Sequence, residues 1–98
     1  MISMRRVDPP PLGNRPAPQV GDFYWWQDKQ GRRSLLLAVP WPAREGRAVW
    51  SRWAVTEPNE NGAMWEWDGN EEKPTLSPSL HWPGIWHGWV KAGIMETA

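Results

Sequence analysis

The chain has no cysteine among its 98 residues. Disulfides, thiolate zinc sites, iron–sulfur ligation and a cysteine nucleophile are therefore excluded. Phe and Tyr are nearly absent, with one of each. No apolar run approaches the ~18–20 residues that a membrane-spanning helix needs. Arg5 and Arg6 are followed by no hydrophobic stretch, so the first residues do not read as a secretion signal. A charge excess is missing too: Lys plus Arg and Asp plus Glu both count 11. A nucleic-acid binder normally carries a basic excess, so the balance argues against that partner. The expected location is the cytoplasm, or a particle assembled there.

What is abundant is tryptophan, ten residues of it. A single domain of this size buries only ~60–65% of the surface that its unfolded chain exposes. With no cross-link available, large indoles are the natural compensation. Each buries on the order of 150–250 Å². At about 25 cal/mol per Å², a fully buried ring contributes roughly 4–6 kcal/mol before entropy is counted. Ten such rings cannot all be hidden in so small a domain, so three or more are expected to reach the surface, where Trp commonly serves binding.

The chain divides at about residue 19. Residues 1–19 carry Pro9, Pro10, Pro11, Pro16 and Pro18. Proline removes an amide donor and fixes φ, so this part reads as an extended, Pro-rich arm rather than a helix or a central strand. Residues 20–98 read as one Trp-rich β domain. Asp22–Gln27 is aromatic and strand-like, and Ser34–Val39 is an apolar run of strand length. The turn Asp28-Lys29-Gln30-Gly31 joins them into a hairpin. Residues 47–55 alternate, with Val49, Ser51 and Trp53 on one side and Trp50, Arg52 and Ala54 on the other, and a short helix competes there. Shorter extended stretches follow at 64–67 and 75–80. The chain ends in a hairpin from Ile85–Val90 through Lys91-Ala92-Gly93 to Ile94-Met95. The expected fold is mostly β: a small twisted antiparallel sheet or partial barrel of five or six short strands.

Few residues can carry chemistry. A serine nucleophile needs an imidazole to take its proton, and the imidazole gains from an acid that fixes its tautomer. Ser77 and Ser79 precede the two histidines, His81 and His87. If 75–80 and 85–90 are neighbouring strands, one of these serines comes within reach of His87, and Asp68 or Glu66 is the acid that would orient the ring, Asp68 first. Metal binding would recruit both histidines with Glu66 or Asp68, but H-x5-H is not a recurring ligand spacing, so neither metal nor cofactor is expected. Trp65 and Trp67 point the same way in a strand, as do His87 and Trp89. Trp65, Trp67, Trp86 and Trp89 are therefore the expected binding residues for a protein partner.

One stretch resembles a known family. Trp67-Asp68-Gly69-Asn70, Pro74-Thr75-Leu76-Ser77-Pro78-Ser79 and Trp86-His87-Gly88-Trp89-Val90 with Gly93 resemble a group of small domain-of-unknown-function proteins common in phage genomes. The likeness covers about residues 64–94. Relatives of that group sit in bacterial ubiquitination-like operons, where they are regarded as serine-peptidase-like processing components. The resemblance implies a nucleophile at Ser79 and a base at His87. Many members carry Cys just before that histidine, where this chain has Trp86.

Three functions use these features. The first is a non-enzymatic phage-type or prophage-type protein that binds another protein through a Trp-rich face and its N-terminal arm. The second is a serine peptidase-like hydrolase using Ser79, His87 and Asp68. The third is a structural virion component whose arm threads onto a neighbouring subunit.

Overall fold

A computed structural model describes residues 1–9 and 17–98. Nine strands run through the described residues: β1 (Ile2–Ser3), β2 (Arg5–Arg6), β3 (Asp22–Gln27), β4 (Arg33–Pro40), β5 (Ala48–Ala54), β6 (Glu66–Trp67), β7 (Leu76–Trp82), β8 (Trp86–Lys91) and β9 (Ile94–Thr97). They form two sheets, ordered β1-β9-β8-β7-β6 and β2-β3-β4-β5. The all-β class agrees with the sequence. The strands are more numerous than expected and form two sheets rather than one, not closed into a barrel. A lone sheet leaves its apolar face in water, and here the second sheet covers it. The competing helix at 47–55 does not form: β5 pairs with β4 from Ala48 to Ala54. Among the described residues no helix is long and apolar enough to cross a membrane.

The core lies between the sheets. Phe23, Leu35, Leu37, Val39 and Trp53 come from one, and Leu76, Leu80, Trp86, Val90 and Met95 from the other. Alternation along β4 and β5 sends these side chains inward, and the register aligns Phe23 with Leu37 and Ser51, and Trp25 with Leu35 and Trp53. Ser51 is polar and buried, yet fully used. Its hydroxyl donates to the Leu37 carbonyl at 2.7 Å and accepts the Trp53 indole N–H at 2.7 Å. Both groups thereby escape the cost of burial without a partner.

The N-terminal segment joins both sheets. β1 pairs antiparallel with β9, and β2 pairs parallel with β3. Between them the Met4 N–H donates to the Gly93 carbonyl at 2.8 Å. Arg5 grips Asp22 through two guanidinium nitrogens, at 3.1 and 3.2 Å, and Asp22 also accepts the Gln19 N–H at 3.1 Å. That compensation lets the Asp22 carboxylate sit buried. The first residues of the arm are thus built into this molecule's own sheets. The polyproline reading of Pro10, Pro11 and Pro16 falls outside the described residues.

The C-terminal hairpin explains two glycines. Lys91 pairs with Ile94, so the connection is the two-residue loop Ala92-Gly93, one residue shorter than expected. Both have positive φ, 49° and 75°, as a type I′ turn demands. Gly88 faces the core, and the Trp86 ring lies across it. A Cβ there would stand 2.3 Å from the ring and 2.3 Å from the Glu96 carbonyl oxygen. The second clash is with backbone and cannot be relieved by a rotamer change. Gly88→Ala should destabilise the fold by about 2–3 kcal/mol, read as a lowered urea midpoint at unchanged slope. A midpoint like that of the parent would show that the Trp86 ring does not pack on Gly88.

Candidate active site

β7 and β8 set the site. Leu76 pairs with Val90 and Leu80 with Gly88, so Ser77, Pro78 and Ser79 together face the single residue Trp89. This is a bulge, and the Ser77–Pro78 peptide bond within it is cis. Proline at 78 accounts for the interruption, since it has no N–H for a ladder. On either side of the bulge, Leu76 and Leu80 remain buried. Ser79, half-buried, and His81, exposed, alternate with Leu80 and take the opposite, outer face. On β8, Trp86, Gly88 and Val90 point inward while His87 and Trp89 point outward.

Ser79 and His87 therefore share the outer face of the five-stranded sheet. His87 is paired with His81, two residues from Ser79, which makes Ser79 and His87 diagonal neighbours. On a regular ladder such positions lie about 7–8 Å apart, within reach of long side chains. Among the described residues no hydrogen bond joins the Ser79 hydroxyl to His87, and none joins the His87 ring to a carboxylate. The ring instead packs beside Trp89 and His81, with centroids 5.9 and 4.7 Å away.

The structure does not bring Asp68 to this pair. Asp68 N–H donates to the Thr75 carbonyl at 3.2 Å, and its Oδ1 accepts the N–H groups of Asn70 at 3.0 Å and Thr75 at 3.3 Å. Thr75 immediately precedes β7, at the opposite end from His81, on the order of 15–20 Å of extended chain away. Two carboxylates share the imidazole's face: Glu66, paired with Ser77 at the far end of β7, and Glu96 of β9, paired with Trp89 of β8. Sequence reading passes over Glu96, because a three-residue hairpin loop shifts the register by one and turns it inward. The two-residue Ala92-Gly93 turn is the signal that places it outside.

A groove of about 700 Å³ runs along this face, walled by Ser77, Pro78, Ser79, Trp89, Ile94 and Glu96 among others. Trp89 and Ile94 are exposed within it, at 46% and 37%. The other tryptophans expected to bind are placed differently. Trp86 is in the core, 6% exposed, with its N–H bonded to the Thr97 hydroxyl at 2.9 Å, so it offers no face to a ligand. Residues 86 and 89 are three apart in a strand and must point oppositely, a signal already present in the spacing. Trp65 and Trp67 are half-buried and pack toward the core. Trp65 sets its edge against Trp53 at 4.9 Å and donates to the Ser79 carbonyl at 2.9 Å. Trp67 stacks on Trp25 at 4.4 Å, with the Arg33 guanidinium over both rings.

The geometry assigns Asp68 to its turn. Asp68→Ala should lower stability by about 1 kcal/mol through loss of the Oδ1 acceptor. Asp68→Asn retains that acceptor and should stay within about 0.5 kcal/mol of the parent. Denaturant melts check both, and an equal loss in the two variants would mean that the charge, rather than the acceptor, is what the turn uses.

Comparison with known proteins adds one finding. Residues 21–98 match the family model described as bacterial ubiquitination-like system serine protease (BubE). No curated protein and no solved structure matches the chain. The matched span takes in β3 to β9, and hence Ser79, His87 and the whole groove wall apart from Met1. The chain belongs to the BubE family of bacterial ubiquitination-like system serine proteases.

Proposed function

We propose that the chain is a serine peptidase-like component of a bacterial ubiquitination-like system, with Ser79 as nucleophile and His87 as general base. The observation that carries this reading is that Ser79 and His87 stand on one outer face, beside a groove, within the span matched by the family. In this mechanism the Ser79 Oγ attacks a carbonyl carbon of the substrate while His87 takes the hydroxyl proton. His87 then returns the proton to the leaving group as the acyl–Ser79 ester forms. A water, deprotonated by His87, attacks that ester and frees Ser79. Glu96 is the nearest candidate to steady the imidazolium, since it shares the face and lies diagonal to His87. A Ser–His contact that tightens only around a substrate is consistent with side chains that stand apart in the free molecule.

The edge of β7 suggests how a substrate enters. β6 spans only Glu66–Trp67 and pairs with Ser77 and Leu76, so it ends before His81. The His87 carbonyl accepts the Ala98 N–H, so the His87 backbone faces β9, and the His81 backbone correspondingly turns away from β8 toward the open edge. An extended segment of a protein partner can add there as a strand.

A second reading is capture of a protein segment without cleavage. Exposed Trp89 and Ile94 along the groove favour it. The chain would then be a phage-type contact protein, its partner another phage or virion subunit. The two readings part on one experiment. A fluorophosphonate probe should label Ser79 in the intact chain, give no adduct in Ser79→Ala, and react on the order of 100-fold more slowly in His87→Ala. Absence of a Ser79 adduct, together with partner binding that is lost in Trp89→Ala, would establish the contact reading instead.

A further inference from the structure

His81 and His87 are the only histidines in the chain, and the strand register sets them directly opposite one another. They form a non-hydrogen-bonded pair, because the His87 carbonyl is turned to β9, where it accepts the Ala98 N–H at 2.9 Å. Side chains of such pairs stand closest together, with Cα atoms about 4.5 Å apart. Both imidazoles are exposed, with ring centroids 4.7 Å apart and planes inclined at 40°.

That separation has a chemical meaning. An imidazole nitrogen binds a divalent ion such as Zn²⁺ at about 2.0–2.1 Å, which puts the ring centre about 3.2 Å from the metal. Two such ligands at a right angle have centres about 4.5 Å apart, and at the tetrahedral angle about 5.2 Å apart. The observed 4.7 Å falls between these limits. We propose that His81 and His87 form a two-histidine site for a divalent transition-metal ion, the imidazole-favouring class that includes zinc, nickel and copper. The H-x5-H spacing carries no sign of it, and the hairpin register creates it. Among the described residues no third His or carboxylate completes a cluster, so the remaining positions on the metal go to water or to a substrate oxygen. Such a site is open and exchangeable, unlike the closed four-ligand sites that hold a fold together.

The site has a regulatory consequence, which rests on the reading of His87 as general base. A metal ion takes the ring nitrogen lone pair that would otherwise receive the Ser79 proton. Metal binding and base catalysis at His87 then exclude one another, and a free divalent ion acts as a brake on the site.

Calorimetric titration of the full chain with zinc chloride tests the metal site directly. One ion should bind per chain, and binding should weaken at least tenfold in His81→Ala and in His87→Ala while remaining unchanged in Ser79→Ala. Both histidines are exposed, so either variant should fold. Absence of saturable binding, or undiminished binding in His81→Ala, would overturn the site. The brake has its own readout: zinc should slow fluorophosphonate labelling of Ser79 in the parent and leave it unaffected in His81→Ala. If zinc binds through both histidines and Ser79 is never labelled, the metal site stands and the peptidase reading fails.

Discussion

Trp65 holds three parts of the molecule at once. Its backbone N–H donates to the Ala54 carbonyl at the end of β5, its ring sets edge-on against Trp53 in the core, and its indole N–H donates to the Ser79 carbonyl in the bulge of β7. The first two contacts belong to one sheet and the third to the other. The bulge has no regular ladder of its own between Leu76 and Leu80, and Pro78 can donate nothing. The Trp65 hydrogen bond gives the Ser79 carbonyl a partner that the interrupted ladder does not supply. What orients Ser79 on the outer face is therefore the same contact that knits the sandwich, and fold and site are not separable here.

The shortage of other stabilising devices explains why tryptophan does so many jobs. Trp53 and Trp86 fill the core. Trp25 and Trp67 stack at its margin, clamped by Arg33, which also meets Glu71 at 2.5 Å, while the Trp25 N–H donates to the Glu71 carbonyl at 3.0 Å. On the outer face of the four-stranded sheet, Trp50 meets Tyr24 edge-on and Trp26 carries Arg52 over its ring. Indoles suit this work because each supplies a large apolar area and one donor that can be satisfied by a nearby carbonyl or hydroxyl. Only Trp26, Trp82 and Trp89 are exposed, and of these only Trp89 lies in the groove that holds Ser79.

Local pattern made the strands legible. Asp22–Gln27 and the apolar run 34–39 became β3 and β4, because composition and a turn with Gly31 acted together within a few residues. The alternation at 47–55 gave the correct inner and outer faces of β5. Three features depended on distant contacts and were hidden. β1 and β2 are two residues each, and Arg5 and Arg6 resemble solvated arm residues until Asp22 and the edge of β9 are in place. The division into two sheets follows from which edges pair, and periodicity carries no such information. At the site, strand adjacency made a serine on the strand beside His87 legible, whereas nothing in the sequence showed that the Asp68 Oδ1 is taken up by its own turn. His81 opposite His87, and Glu96 beside Trp89, required the register on both sides of β8.

In the proposed function the outer face of the five-stranded sheet is a hydrolytic surface, with a serine on a bulge and a base on the next strand. The most direct measurement is a crystal structure of the chain after reaction with a peptide phosphonate. The account predicts a covalent bond from the Ser79 Oγ to phosphorus, an imidazole nitrogen of His87 within about 3.2 Å of the adduct oxygens, and the peptide lying along the groove beside Trp89. An adduct on another residue, or one on Ser79 with the His87 ring still stacked on His81 and out of contact, would contradict it.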